Sequence, residues 1–242
     1  MSFLICGASF TFGDGLDNPI EQAWPAVFSK KINQPVVNIA TNGASVDYAI
    51  YRTMQELNKP YDVIVAWPPL LRTLMVRREN NFLINGNATF ANDMYGNTKE
   101  FKDYLSYHYK YWTNELFDLK NTLQKIVLFQ SYLSSKKCKY LFINEAPYNL
   151  TDWLQLSSLT YEQKQKYLDA FEVMSDQQIQ KEELEINELY KQLNLQYYYQ
   201  PTTFNLADAC RSQNLIDHRI KHPTVAGQKY LAETVFNIWR QL

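Results

Sequence analysis

A three-layer α/β/α fold around a central parallel sheet is predicted for this chain by three observations. Short apolar runs recur along it, segments of helical period lie between them, and polar turns close each segment. "FLIC" from Phe3, "PVVNIA" from Pro35 and "DVIVAW" from Asp62 read as parallel strands buried on both faces, and "KYLFINEA" from Lys139 reads as a fourth. "EQAWPAVFSKKI" from Glu21 and "ASVDYAIYRTMQEL" from Ala44 have the period of helices that cover such a sheet.

The later segments fill in the outer layers. Residues 100–136 and Tyr161 to Leu193 read as helices; in the second, Glu182, Glu183 and Glu185 form a solvated face in preference to a pair of catalytic carboxylates. After the third strand, "NNFLINGNATFAND" sets Asn85-Gly86 between two apolar runs, the signature of a type I′ hairpin. Such a hairpin insertion would emerge beside the carboxyl end of that strand, either as a lid or as a surface decoration. The aromatic clusters "YHYKYW" from Tyr107 and "YYY" from Tyr197 are read as packing before they are read as stacking platforms for sugars.

Composition narrows the function classes. At 242 residues the chain suits one sizeable α/β core, and a single domain over residues 1–242 is expected. Lysine and arginine total 24 against 25 acidic residues, so there is no broad electrostatic footprint for nucleic acid or an anionic membrane. No basic segment precedes an apolar one at the N-terminus, and no apolar run approaches membrane-spanning length. A soluble, cytoplasmic protein is the expectation. Cys6, Cys138 and Cys210 form no CxxC pair, which points to reduced thiols and neither a disulfide framework nor a metal site.

The chemistry concentrates at the two ends of the chain. "LICGASFTFGDGL", residues 4–16, starts as a strand, breaks at Gly7 and presents Ser9 among small residues. In a doubly wound sheet the ligand crevice lies beyond the carboxyl ends of the strands, where Ser9 falls. Gly7, Gly13 and Gly15 match neither dinucleotide nor P-loop spacing. Taken alone, Ser9 would read as a helix cap or a turn residue. Two other features join it: His222 precedes Pro223 just before the apolar stripe of a final helix, and "NIATNGAS" ends the second strand at Gly43, whose N–H can approach a ligand without a Cβ in the way.

These blocks resemble those of the SGNH hydrolases, also called GDSL-type esterases and lipases, and particularly the short intracellular versions encoded by tailed phages. Gly7-Ala8-Ser9 stands at the first block, usually Gly-Asp-Ser; Gly43 stands at the second and His222 at the fifth, in order along essentially the whole chain. The resemblance implies a flavodoxin-like SGNH fold, Ser9 as nucleophile, and His222 as its general base, within hydrogen-bond reach or slightly beyond. It also implies oxyanion donors at the N–H groups of Ser9 and Gly43, with no metal and no organic cofactor.

The departures are equally specific. Ala8 replaces the Asp of the first block, a change expected to alter support for the loop. The third block falls on Ala66, Trp67, Pro68 and Pro69, so its Asn donor is missing, a loss that typically costs about 2.7–4 kcal/mol of transition-state stabilisation. Asn42 and Arg72 are the nearest replacements in sequence, although Arg72 reads first as a solvated loop residue. The fifth block's Asp position holds Arg219, which leaves Asp217 as a displaced third member or else a Ser-His pair. The expected function is hydrolysis of a small-molecule or carbohydrate ester through an acyl-enzyme. A weakened scaffold that binds a glycan or a protein is the alternative, and a nucleotide-binding role is disfavoured because no phosphate loop is present.

Overall fold

The computed structural model describes residues 2–70, 73–76, 82–85, 115–146, 154, 160 and 175–242. In chain order its strands are β1 (Ser2–Cys6), β2 (Val36–Asn38), β3 (Tyr61–Trp67), β4 (Thr73–Val76), β5 (Phe82–Asn85), β6 (Tyr140–Asn144), β7 (Ile216–Asp217) and β8 (His222–Pro223). The helices are α1 (Ser9–Phe12), α2 (Pro19–Gln22), α3 (Trp24–Ile32), α4 (Val46–Glu56), α5 (Glu115–Ser135), α6 (Asp176–Lys191), α7 (Leu206–Ser212) and α8 (Val225–Trp239).

The four apolar runs form one parallel sheet in the order β2-β1-β3-β6. Leu4 lies opposite Val37 on one side and Val63 on the other, and Val65 lies opposite Phe142. Tyr198 adds a parallel bridge beyond β6, with Phe142 N–H donating to the Tyr197 carbonyl at 2.7 Å and Tyr199 N–H donating to Phe142 at 2.9 Å. This is the flavodoxin-like order, and its switch point falls between β1 and β3.

Strand alternation sends side chains to two cores. Leu4, Cys6, Val63, Val65 and Trp67 pack with α4, α5 and α6, whereas Phe3, Ile5, Ile64 and Ala66 pack with α3, α7 and α8. Helix starts follow side-chain capping: Ser45 accepts from Tyr48 N–H, Asn205 from Asp208 N–H and Thr224 from Gly227 N–H, and a capping box between Ser175 and Gln178 opens α6. Among the described residues no helix is long and apolar enough to cross a membrane.

Several expectations are refined. β2 is not buried on both faces: it is the sheet edge, and Val37 is 37% exposed. The helix predicted from Glu21 is two helices, because Ala23 takes an extended conformation ahead of Pro25 in the first turn of α3. A hairpin does follow β3, but Thr73–Val76 pairs with Phe82–Asn85. Asn85 is the last residue of its second arm; its connection, 77–81, and the turn expected at Asn85-Gly86 lie outside the described residues. Glu182 and Glu185 are not simply solvated, since both close on Lys120 of α5, at 2.7 and 2.5 Å. Tyr198 is buried and donates to Asn144 Oδ1 at 2.6 Å, Tyr197 packs at a tilt against Tyr140 and Tyr199 meets Phe204 edge to face, so the "YYY" run is packing. The "YHYKYW" cluster lies outside the described residues.

Candidate active site

β1 ends at Cys6, and the chain turns through Gly7 and Ala8 into α1, a single turn that begins at Ser9. A one-turn helix satisfies few of its own backbone groups. Side chains from three other elements supply the rest. Glu145, directly after β6 and 1% exposed, accepts from Ala8 N–H at 2.5 Å through Oε2, and from Phe10 and Thr11 N–H at 2.5 and 3.1 Å through Oε1. Thr11 Oγ1 donates to Oε2 at 3.4 Å. The carbonyls are held too: Ala8 accepts from Phe12 N–H, Ser9 from Gly13 and Asp14, Phe10 from Gln228 Nε2 at 3.2 Å, and Thr11 from Asn38 Nδ2 at 3.0 Å. Gln228, fully buried on α8, also accepts from Trp24 N–H at 2.8 Å, which ties α1 to both α3 and α8. Among the described residues, neither the N–H nor the hydroxyl of Ser9 makes a hydrogen bond.

His222 opens β8, which packs against α1, and its ring lies 5.4 Å from that of Phe10. Its Nδ1 is 2.6 Å from the Ile220 carbonyl. A carbonyl can only accept, so Nδ1 carries the hydrogen, and in the neutral ring Nε2 keeps its lone pair. Nε2 faces Asp14 Oδ2 at 3.6 Å. The expected Ser9–His222 hydrogen bond is not formed here, a looseness common in unliganded sites.

Asp217 lies opposite His222 in the β7–β8 pair, yet its carboxylate is committed elsewhere. Arg219 donates to both oxygens, from Nε at 3.3 Å and Nη2 at 2.9 Å, and its N–H adds a third bond at 2.9 Å. The Arg219 side chain and backbone hold the Asp217 carboxyl down at about 2. The displaced acid thus pairs with the residue that occupies the position it vacated, and the Ile220 carbonyl holds the ring in its place.

Gly43 sits in the loop after β2 at φ 73°, a conformation that favours glycine, and half-buried Asn42 precedes it. Thr41 N–H donates to the Gly7 carbonyl at 3.3 Å, which binds this loop to the one carrying Ser9. Trp67 at the end of β3 is fully buried; its carbonyl accepts from Glu145 N–H at 2.8 Å, and Pro68 and Pro69 have no N–H to offer. Arg72 lies outside the described residues. Cys6 is next to the site but unfit as a nucleophile, because burial pushes its thiol up to about 12. Glu145, Asn38, Gln228 and Ile220 were not found from the sequence. The one visible signal was a lone acid directly behind a buried strand at its carboxyl end.

No protein-family model and no curated protein sequence matches the chain. Among solved structures it is similar to a protein assigned to the G-D-S-L lipolytic family from Desulfitobacterium hafniense, with 16% identity, a TM-score of 0.50 and 98% of each chain covered. It is also similar to the psychrotrophic esterase EstA from Pseudoalteromonas sp., in a structure inhibited by monoethylphosphonate, with 12% identity, a TM-score of 0.50, and 99% of this chain and 96% of that one covered. The chain therefore has the fold of the GDSL-type (SGNH) hydrolases, the family whose sequence blocks it resembles.

Proposed function

We propose that the protein is a serine ester hydrolase. The observation that carries this reading is the state of Ser9: it stands at the carboxyl end of β1 with its N–H and hydroxyl unbonded, in a loop whose other backbone groups are occupied, beside an imidazole whose Nδ1 is already held. Ser9 Oγ attacks the ester carbonyl carbon while its proton passes to His222 Nε2. The N–H groups of Ser9 and Gly43 receive the oxyanion, and the proton then goes to the departing alcohol. Water, deprotonated by the same nitrogen, releases the acid from the acyl-enzyme. The Ile220 carbonyl orients the ring through Nδ1, so the reaction runs on a Ser-His pair. The substrate class is an ester, which the fold's esterase neighbour supports by analogy, and we take it to be a small one such as a short acyl group on a carbohydrate.

Hydrolysis of nitrophenyl acetate and butyrate tests this. Turnover by the wild type is expected, with most of it lost in Ser9→Ala and in His222→Ala. Equal rates in wild type and Ser9→Ala overturn the reading. A second reading, a weakened scaffold that binds a glycan or a protein, is favoured by the loss of the third block's Asn from Ala66–Pro69 and by the unformed Ser9–His222 bond. It predicts no turnover above background.

A further inference from the structure

We propose that Glu145 is a positioning residue that makes the oxyanion donor at Ser9 by binding the N–H groups on either side of it; the proposal rests on the hydrolase reading above. The pattern of its contacts is selective. From Ala8 to Thr11 the carboxylate takes the N–H of residues 8, 10 and 11 and passes over that of Ser9. Every backbone carbonyl in the same stretch has a donor, from Phe12, Gly13, Asp14, Gln228 or Asn38. The N–H of Ser9 is thus the single backbone group of this turn left for a substrate oxygen.

The carboxylate is itself rigidly held. Glu145 N–H donates to the Trp67 carbonyl at 2.8 Å and its carbonyl accepts from Ala207 N–H at 3.0 Å, so the ends of β3 and β6 and the start of α7 fix its backbone. Its side chain is buried and spans to the loop after β1, which joins the reacting turn to the middle of the sheet. Donors fixed before the substrate arrives need no reorganisation when charge develops. A glutamine of the same shape cannot replace this. It presents one acceptor oxygen and an NH₂ group that opposes the remaining N–H donors, so it can hold one flank of Ser9 but not both.

The test uses the ¹⁵N-labelled full chain together with Glu145→Gln. In the wild type, the Ala8 and Phe10 amide protons are expected far downfield and slow to exchange, as short charge-assisted bonds require, while the Ser9 amide shows neither property. In Glu145→Gln that pair of shifts collapses, kcat on nitrophenyl acetate falls at least about 30-fold, and KM stays within about threefold. A variant that loses melting temperature but keeps wild-type kcat overturns the positioning role, because a purely structural contact would give that result. Absence of the downfield pair from the wild type overturns it without any variant, and this measurement decides the matter if Glu145→Gln does not fold. A wild type with the amide pattern but no turnover shows that the clamp exists and that the hydrolase reading, and with it the catalytic purpose of the clamp, fails.

Discussion

Replacing Gly7 by alanine adds one methyl group at the most crowded point of the site. A Cβ there would lie 2.4 Å from Thr11 Oγ1, 2.7 Å from Thr11 Cβ and 3.0 Å from Glu145 Oε2. Thr11 cannot swing clear: it is fully buried, and its hydroxyl accepts from Trp24 Nε1 at 3.3 Å and donates to Glu145. The turn must shift away from the carboxylate. Overpacking of this kind costs about 1–3 kcal/mol, and a strained or lost hydrogen bond to a buried charge adds about 1.5–3 kcal/mol. A total near 4 kcal/mol corresponds, for a chain of this size, to a fall of about 8–16 °C in melting temperature. Gly15→Ala is the control, since its Cβ would meet only the flexible end of Ile220 and the cost comes from φ 80°, about 1–2 kcal/mol. Calorimetric unfolding of both variants, with esterase rates taken well below the transition, provides the assay. Gly7→Ala melting within about 2 °C of wild type at unchanged rate would refute the packing described around Thr11 and Glu145.

Three further outcomes are expected. Asp217→Asn should lower kcat/KM by less than about tenfold, whereas an orienting aspartate in a triad is worth about 10⁴; a loss of that larger size would show that Asp217 leaves Arg219 during turnover. Lys120→Met should destabilise the α5–α6 contact by about 1 kcal/mol at neutral pH, because Glu182 and Glu185 then lose the cation they share and only Glu185 keeps one, in its longer pair with Lys181 at 3.8 Å. The Lys120 hydrogen bond holds the Glu185 carboxyl below its usual 4.5, so this contribution is present above that value and is lost as pH falls through the depressed one; urea titrations at pH 7 and pH 3 should show the difference between wild type and variant shrinking in acid. Burial pushes the Cys6 and Cys210 thiols up to about 12, leaving on the order of 10⁻⁴ as thiolate at pH 8. Iodoacetamide should therefore modify half-buried Cys138 first in the native protein and the other two only on unfolding, and equal rates at all three would contradict the packing.

The strands were legible because each carries its own burial signal: β1, β3 and β6 are short apolar runs, and the sheet buries them on both faces. β2 has the same composition but lies at the edge, and nothing in "PVVNIA" records which strand has a neighbour on one side only. A hairpin after β3 was expected and one is present, but its first arm, Thr73–Val76, was not singled out, because the residues that join it to Phe82–Asn85 include no Gly or Pro to mark a turn. At the site, Ser9 and His222 could be recognised as residue types in order along the chain. The groups that hold them could not: Glu145 stands 137 residues from its Ala8 partner and Gln228 stands 218 from Phe10, so they meet only through the sheet order. Asp217 was chosen by proximity to His222 in sequence, and that reasoning could not see Arg219 between them claiming both oxygens.

Reaction of the native protein with a fluorophosphonate, followed by intact-mass measurement and peptide mapping, tests the central claim most directly. The phosphorus takes the place of the ester carbonyl carbon and traps only a serine that is activated as a nucleophile. One adduct per chain, located on Ser9, absent in Ser9→Ala and much slower to form in His222→Ala, is the predicted result. No adduct on the folded wild type, or an adduct that forms at the same rate in Ser9→Ala, would contradict the account.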